Sequence, residues 1–125
     1  MTHQTKTNIM EANLTVGQKL TKYEIHKAIA CREFDVRETI QTLKHFGGME
    51  FWCWGANGFT NCAHKALQFK VTGLKHRGNV FIALNGLDLY DVVLTTSHGT
   101  IKCILTDIYF DDLFDIMHRH IEVSI

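Results

Sequence analysis

Five short apolar runs, separated by turn signals, constrain the fold of this chain more than any other feature. The runs are MEFWCW, KALQFKVT, NVFIAL, LYDVVLTT and TIKCILTDIY, at residues 49–54, 65–72, 79–84, 89–96 and 100–109. The turn signals between them are Asn57-Gly58, Gly73 with Arg77-Gly78, Asn85-Gly86 and His98-Gly99. The connections are too short for parallel crossovers. The pattern therefore predicts an antiparallel meander of about five strands.

Two segments before these strands carry the signatures of helix starts. In TKYEIHKAIACRE, Thr21 is followed three residues later by Glu24, which is the spacing of a capping box. In DVRETIQTLKHFGG, Asp35 and Glu38 repeat this spacing, and the final glycines suit a left-handed helix exit. Because only a very short linker separates the two helices, we predict that they pack as an αα-hairpin.

A third helix is predicted in DDLFDIMHRHIEV, near the end of the chain. Its inner stripe consists of Leu113, Ile116, Met117, His120 and Ile121. The predicted fold is therefore α+β, in the order αα-βββββ-α, with the helices mainly on one face of the sheet. We expect a flexible tail at residues 1–8 and a single α+β domain at residues 9–125.

Charge and composition limit the functions that fit the chain. The 13 Lys and Arg residues balance the 13 Asp and Glu residues, which argues against a general polyanion binder. No apolar run approaches the length of a membrane span, and no secretory signal is apparent. The 4 cysteines show no secreted disulfide framework, so we expect reduced thiols and a cytoplasmic location.

Both tryptophans lie in the first predicted strand. In an extended segment, Phe51 and Cys53 would point to one face, and Trp52 and Trp54 to the other. We predict that Trp52 and Trp54, with Phe59 in the following loop, form a partner-binding surface, since Trp is enriched at binding hot spots. The alternative is that the loop at residues 55–64 or the N-terminal arm covers both tryptophans, which would then belong to the core.

A basic turn supports an alternative interaction with nucleic acid. Lys70, Lys75, His76 and Arg77 cluster at the second predicted hairpin beside glycines, where side chains and free backbone N–H groups can contact phosphates. A winged-helix variant of this hypothesis would expose further polar side chains on the second helix, namely Arg37, Gln41, Lys44 and His45. The glutamates of the same region weaken the positive field that either version needs.

No pattern in the chain demands a metal, a cofactor or a catalytic group. Cys53, Cys62 and His64 are too widely spaced for a compact zinc knuckle, and we predict no metal site. Cys62 and His64 are the least implausible nucleophile and base, but neighbours in one loop would meet only by chance. The last helix also carries Asp112, Asp115 and His118, which we interpret as part of a solvated face with i,i+4 ion pairs. We predict no catalytic residue and no cofactor.

Several segments together resemble a known group of sequences. FGGMEFWCWGANGF, VTGLKHRGNVFIALNGLDLYDV, SHGTI and DIYFDDLFDIMHRHIE resemble a group of short, uncharacterised proteins of gut anaerobic bacteria and their mobile elements and phages. The resemblance covers about residues 20–122. It implies a single bacterial or phage domain, and it carries over no activity, cofactor or site residue.

Three functions follow as hypotheses. The first is a small cytosolic binding or accessory protein that docks a protein partner, or a second copy of itself, through an aromatic sheet face. The second is a nucleic-acid-binding accessory protein that uses the basic hairpin tip. The third is an enzyme or small-ligand carrier, which would need a concave pocket with convergent polar groups.

Overall fold

The computed structural model describes residues 14–122. Three helices precede the sheet: α1 (Lys22–Ile29), α2 (Val36–Gly47) and a single turn, α3 (Met49–Trp52). The strands are β1 (Asn57–Cys62), β2 (Ala66–Thr72), β3 (Arg77–Leu84), β4 (Tyr90–Thr95) and β5 (Ile101–Ile108). A 3₁₀ turn at Phe110–Asp112 leads into α4 (Leu113–Ile121). Within this part of the chain, no helix is long and apolar enough to cross a membrane.

The sheet is a five-stranded antiparallel meander in the order β1-β2-β3-β4-β5. Its central register aligns Gln68 with Phe81, and Phe81 with Val93. This architecture and the helix that follows it confirm the predicted α+β class, the antiparallel sheet and the C-terminal helix. Four of the predicted strands are present with small shifts of their ends, because their alternation of apolar and polar residues matches a sheet.

The first strand was predicted in the wrong place. Residues 49–54 form α3 and a following turn, in which the N–H groups of Trp54 and Gly55 donate to the carbonyls of Phe51 and Trp52. The strand begins at Asn57, within the segment that was predicted to be a loop. Helical geometry places Phe51 and Trp54 on the same side, and both are buried. Tertiary burial of these two rings therefore overrides the β-propensity of the aromatic run.

Alternation along the strands sorts the sheet residues onto two faces. On the first, which we call the α2/α4 face, the buried strand residues are Leu67, Phe69, Val71, Val80, Ile82, Tyr90, Val92, Leu94 and Ile108. On the opposite α1 face they are Ala66, Phe81, Ala83, Val93 and Ile101. The sheet is thus the middle layer of the domain and has a hydrophobic cluster on each side.

The helices divide between these two faces. Helix α1 contributes Ile25 and Ile29 to the cluster of the α1 face, whereas α2 contributes Val36 and Leu43 to the other cluster. The predicted αα-hairpin is therefore not confirmed, and the helices are not confined to one face. The linker explains this, since Ala30 is extended and the N–H of Phe34 donates to the carbonyl of His64 in the β1–β2 turn at 2.9 Å. The chain thus passes around the end of the sheet.

The predicted helix caps are present. The N–H of Glu24 donates to the Thr21 hydroxyl at 3.2 Å, and the Glu24 carboxylate accepts from the N–H of Thr21 at 2.8 Å. The Asp35 carboxylate likewise accepts from the N–H of Glu38 at 3.0 Å. Caps of this kind stabilise a helix by about 1 kcal/mol each, which matters for a helix as short as α1.

Candidate functional site

Trp54 belongs to the core and not to a partner surface. It is fully buried, and its indole stacks on the ring of Phe114 with centroids 5.0 Å apart. The indole N–H donates to Nδ1 of His118 at 3.0 Å, and the Trp54 carbonyl accepts from the N–H of Thr72. The indole N–H and the backbone carbonyl of Trp54 therefore both have hydrogen-bond partners inside the protein. The prediction that Trp54 would meet a partner does not fit this position.

The other two predicted partner residues are separated from Trp54. Phe59 lies on β1 and is 38% exposed, and its ring packs against the ring of Phe69 with centroids 4.9 Å apart. Trp52 is 69% exposed, because α3 turns it away from the side that buries Phe51 and Trp54. Of the three residues, Trp52 alone presents most of its side chain to solvent.

Trp52 is close in sequence to further exposed apolar side chains. Met49, three residues earlier on α3, is 82% exposed. Phe46 at the end of α2 is half-exposed and meets the half-exposed ring of Phe110 edge-on, with centroids 6.0 Å apart. We call Phe46, Met49, Trp52 and Phe110 the aromatic surface. The sequence signal for it was present at Trp52, but the contribution of the 3₁₀ turn at Phe110–Asp112 depends on the tertiary fold.

The fold separates His76 from the other three residues of the predicted basic cluster, since Lys70, Lys75 and Arg77 are exposed. His76 is buried, with Nε2 placed 3.3 Å from the carbonyl of Asn79. The backbone N–H groups of Lys75 and His76 donate to the carbonyl of Ile121 at 2.9 and 3.1 Å. This turn therefore caps the C-terminal end of α4, where carbonyls lack helical partners. Lys70 and Arg77 remain exposed.

A groove of about 520 Å³ lies on the α1 face, between α1 and the β1–β2 hairpin. Apolar side chains and methyl groups line its walls, namely Tyr23, Ala30, Thr60, Ala63 and Ala66. Three lysines also line it, Lys22, Lys27 and Lys65. The remaining lining residues are His26, Cys62 and Gln68. Its volume falls within the range of roughly 300–1,000 Å³ that is typical of small-ligand sites.

Helical spacing brings one side of α1 to the groove. Tyr23, His26, Lys27 and Ala30 recur at the i, i+3, i+4, i+7 interval that defines one side of a helix. On the other side of the groove, the antiparallel register of β1 and β2 pairs Cys62 with Ala66 across the turn. No pattern in the sequence indicated this surface, because α1 was expected to pack against α2 and not beside the first hairpin.

Three polar side chains meet in the groove. Nε2 of His26 lies 2.8 Å from Oε1 of Gln68 and 3.2 Å from Sγ of Cys62. A neutral imidazole nitrogen carries either one hydrogen or one lone pair, so the shorter contact assigns the hydrogen to Nε2, which donates to Gln68. Nδ1 of His26 is buried and has no partner among the described residues, which suits a nitrogen without a hydrogen.

The charge states follow from the same surroundings. Burial lowers the pKa of His26; the hydrogen bond to Gln68 opposes this effect, and the nearby Lys22 charge adds to it. Burial also raises the pKa of the Cys62 thiol, against a smaller opposing effect of Lys22. The pair is therefore a neutral imidazole beside a neutral thiol near pH 7. This state lacks the thiolate on which an activated cysteine nucleophile depends.

The cysteine and histidine that meet are not the pair considered from the sequence. Cys62 contacts His26, which is 36 residues away, whereas Nδ1 of His64 lies 3.2 Å from the side-chain nitrogen of Asn61. Within residues 14–122, no three His, Cys, Asp or Glu side chains are grouped as metal ligands would be. In α4, Asp115 forms an i,i+4 ion pair with Arg119 at 3.0 Å, while His118 turns inward to Trp54.

A second polar cluster stabilises the far end of the sheet. Asp91 is buried on β4, and its Oδ1 accepts from the side chain of Asn85 and from the N–H of Asp107, both at 3.0 Å. Asp107 has a φ of 57° and lies at a shift in the β4–β5 register, so Asp91 satisfies a donor that this bulge exposes. Burial, opposed by these hydrogen bonds, raises the pKa of Asp91 to about 6. This cluster has a structural explanation and needs no ligand.

Comparisons of the chain with protein-family models, with curated proteins and with solved structures gave no match.

Proposed function

We propose that this chain is a small binding protein that docks a protein partner, or a second copy of itself, through the aromatic surface. The observation that carries the proposal is the exposure of Trp52 and Met49, which follow the exposed Phe46 of the Phe46–Phe110 ring pair by a few residues along the chain. Groups of exposed large apolar side chains mark interaction sites more often than ordinary monomer surface. We also propose the cytoplasm as its location and a bacterial or mobile-element origin, on the grounds given by the sequence.

The composition of the aromatic surface supports this function. Aromatic side chains and Met are enriched in the centres of protein interfaces, whereas Lys and Glu are depleted there and stay at the rim. Lys44 and Glu50 are exposed and lie close in sequence to Phe46 and Met49, so they suit such a rim. Burial of a Trp in the centre of an interface contributes about 2 kcal/mol or more to binding. Trp52 is the natural anchor, because it is a large aromatic side chain that is mostly exposed to solvent.

The test is removal of the anchor without disturbing the core. The double variant Met49→Ala/Trp52→Ala is expected to abolish any self-association seen by sedimentation equilibrium, and to weaken binding to a captured partner at least about tenfold. The matched control is Leu74→Ala, since Leu74 is 80% exposed but lies in the β2–β3 turn. Unchanged association in the double variant, or equal loss in the control, would count against the proposal.

A nucleic-acid interaction is the second candidate, and one observation favours it. Lys70 and Arg77 line a concavity of about 300 Å³ together with Asn57, Asn79 and Ser97, and no carboxylate among the described residues lines it. Phosphate contacts require such unopposed cations. Binding of a short oligonucleotide should weaken steeply with salt, and Lys70→Gln/Arg77→Gln should flatten that dependence. Absence of a gel shift at low salt rejects this candidate.

A further inference from the structure

The groove beside α1 combines an apolar wall with a rim of positive charge. Its lining includes the lysines at positions 22, 27 and 65 and, within residues 14–122, no Asp or Glu. The ion pairs in that part of the chain are Arg32–Asp88 and Arg119–Asp115, so neither of them neutralises these lysines. Three like charges around one cavity repel each other, and an anion in the cavity relieves the repulsion.

We propose that this groove binds a small organic acid, a molecule with one carboxylate and an apolar body. The apolar body packs against the ring of Tyr23 and the methyl groups of Ala30, Ala63 and Ala66. The carboxylate lies among the lysine ammonium groups. The site is distinct from the aromatic surface, so this inference stands independently of the proposed function.

Lys22 is the lysine whose position in the groove is best defined. Its Nζ lies 5.6 Å from the centroid of the Tyr23 ring, and its charge acts on both His26 and Cys62. A carboxylate beside this ammonium therefore lies at the junction of the apolar wall and the polar floor. The ring of His26 is supported from behind by Phe81, whose ring meets it edge-on with centroids 5.2 Å apart.

The polar floor adds neutral hydrogen-bond donors to the lysine charges. Oε1 of Gln68 accepts from His26, which leaves the amide nitrogen of Gln68 with two hydrogens to donate. Within the described part of the chain, no acceptor for that nitrogen is recorded, and Gln68 lines the groove. Cys62 adds a neutral, weakly polar thiol. A floor of this kind suits the uncharged part of an acid, or one of its carboxylate oxygens.

Size and shape favour a small acid over a polyanion. Helix α1 bounds the groove on one side and the β1–β2 hairpin on the other, and about 520 Å³ accommodates one small molecule. A nucleic acid needs a longer track of cations and stacking rings, whereas Tyr23 is the one Phe, Tyr or Trp among the described residues that lines this cavity. The size of the cavity and its few rings therefore favour a small carboxylate over a nucleic acid.

The first experiment compares three ligands with the wild-type chain by calorimetry. Octanoate carries both features, 1-octanol lacks the charge, and inorganic phosphate lacks the apolar body. We expect saturable octanoate binding that is at least about tenfold tighter than octanol binding, and no saturable phosphate binding. Absence of octanoate binding at millimolar concentration, or equal affinity for octanol, overturns the proposal.

The second experiment locates the site. The variant Lys27→Gln/Lys65→Gln should weaken octanoate binding roughly fivefold to tenfold, as expected for two partly exposed charge pairs. Lys44→Gln is the matched control, since Lys44 is an exposed lysine on α2. Tyr23→Ala, a change at an exposed position, should weaken binding by shortening the apolar wall. An unchanged affinity in both groove variants overturns the proposal.

Cys62 provides a readout that does not depend on affinity. In a Cys31→Ser/Cys53→Ser/Cys103→Ala background, which leaves Cys62 as the remaining thiol, octanoate should slow the reaction of Cys62 with a thiol reagent. No protection at saturating octanoate places the ligand elsewhere and overturns the proposal. So does an oligonucleotide that binds more tightly than octanoate and loses this binding in the Lys27→Gln/Lys65→Gln variant, because the groove would then be a polyanion site.

Discussion

The two faces of the sheet are covered in different ways. Three helices and stacked aromatic rings close the α2/α4 face, where Trp54 and Phe114 lie in the main cluster. Within residues 14–122, one helix of 8 residues covers the α1 face, and it leaves a groove lined with polar, basic and apolar side chains. We therefore expect substitutions on the α2/α4 face to destabilise the domain more than substitutions on the α1 face. The predictions below test this expectation, from the largest expected effect to the smallest.

The largest effect is expected at the centre of the α2/α4 face. Trp54→Ala should lower the free energy of unfolding by about 3–5 kcal/mol, because it leaves a cavity beside Phe114 and removes a donor to His118. Urea denaturation measures the change. Trp54→Phe should recover part of the loss by refilling the stack. A loss below about 1 kcal/mol would show that this face is not the main source of stability.

A smaller, pH-dependent effect is expected on the α1 face, at Asp91. Its pKa is about 6 when folded and 3.8 in the reference state, so the folded protein binds this proton more tightly. The resulting stabilisation is complete below the lower value, declines as the pH rises, and is lost above about 6. The total change is up to about 3 kcal/mol, from 1.4 kcal/mol per pKa unit.

Substitution of Asp91 isolates this contribution. Asp91→Asn keeps the oxygen that accepts from Asn85 and Asp107 but carries no charge, so its stability should not decline between pH 4 and pH 7 on this account. Thermal unfolding across that range, beside the exposed control Asp111→Asn, measures the difference. A wild-type stability that rises through this range, with the same slope in Asp91→Asn, would refute the assignment.

A matched pair of caps compares the two faces directly. Thr21→Ala removes the capping box of α1, and Asp35→Ala removes the cap of α2; each should cost about 1 kcal/mol within its helix. Hydrogen exchange should show local fraying of α1 in the first variant, because few buried residues hold that helix. In the second variant, α2 should open only with the whole domain. Equal local fraying in both helices would remove the distinction between the faces.

The smallest effect is expected at Trp52. Trp52→Ala should change the free energy of unfolding by no more than about 0.5 kcal/mol, because its side chain is mostly in solvent. Acrylamide should quench the accessible fluorescence component of the wild type, and this component should be missing from the variant. Trp54 then supplies the remaining, protected emission. A variant that unfolds, or that keeps the quenched component, contradicts the placement of the two indoles.

The sequence predicted helix starts and strands correctly where the deciding interactions lie within a few residues. Capping at Thr21 and Asp35 depends on residues three positions apart, and the alternation in β2 to β5 depends on residues two apart. The prediction failed at Phe51 and Trp54, because they belong to a short apolar run that is compatible with a helix and with a strand. Only the pocket formed by Phe114 and His118 decides between them, and those residues are about sixty positions away.

The groove could not be predicted from the sequence, because it also depends on contacts between distant residues. His26 meets Cys62 and Gln68 across 36 and 42 residues, and no local pattern links these three positions. The neighbour that local reasoning offered to Cys62 was His64, which contacts Asn61 instead. For the turn that carries Lys75 and His76, the charges could be seen in the sequence. Its hydrogen bonds to the C-terminal end of α4 could not, because they join residues far apart in the chain.

The sequence by itself determined the elements of this protein, since helix caps, strand periods and turns depend on interactions within a few residues. The tertiary structure decided on which face each helix lies, which tryptophan is buried and which histidine meets Cys62. A six-residue linker can cross the end of a sheet or fold back along one face with similar local energy, so burial of α1 against Phe81 and Val93 makes the choice. That choice creates the groove.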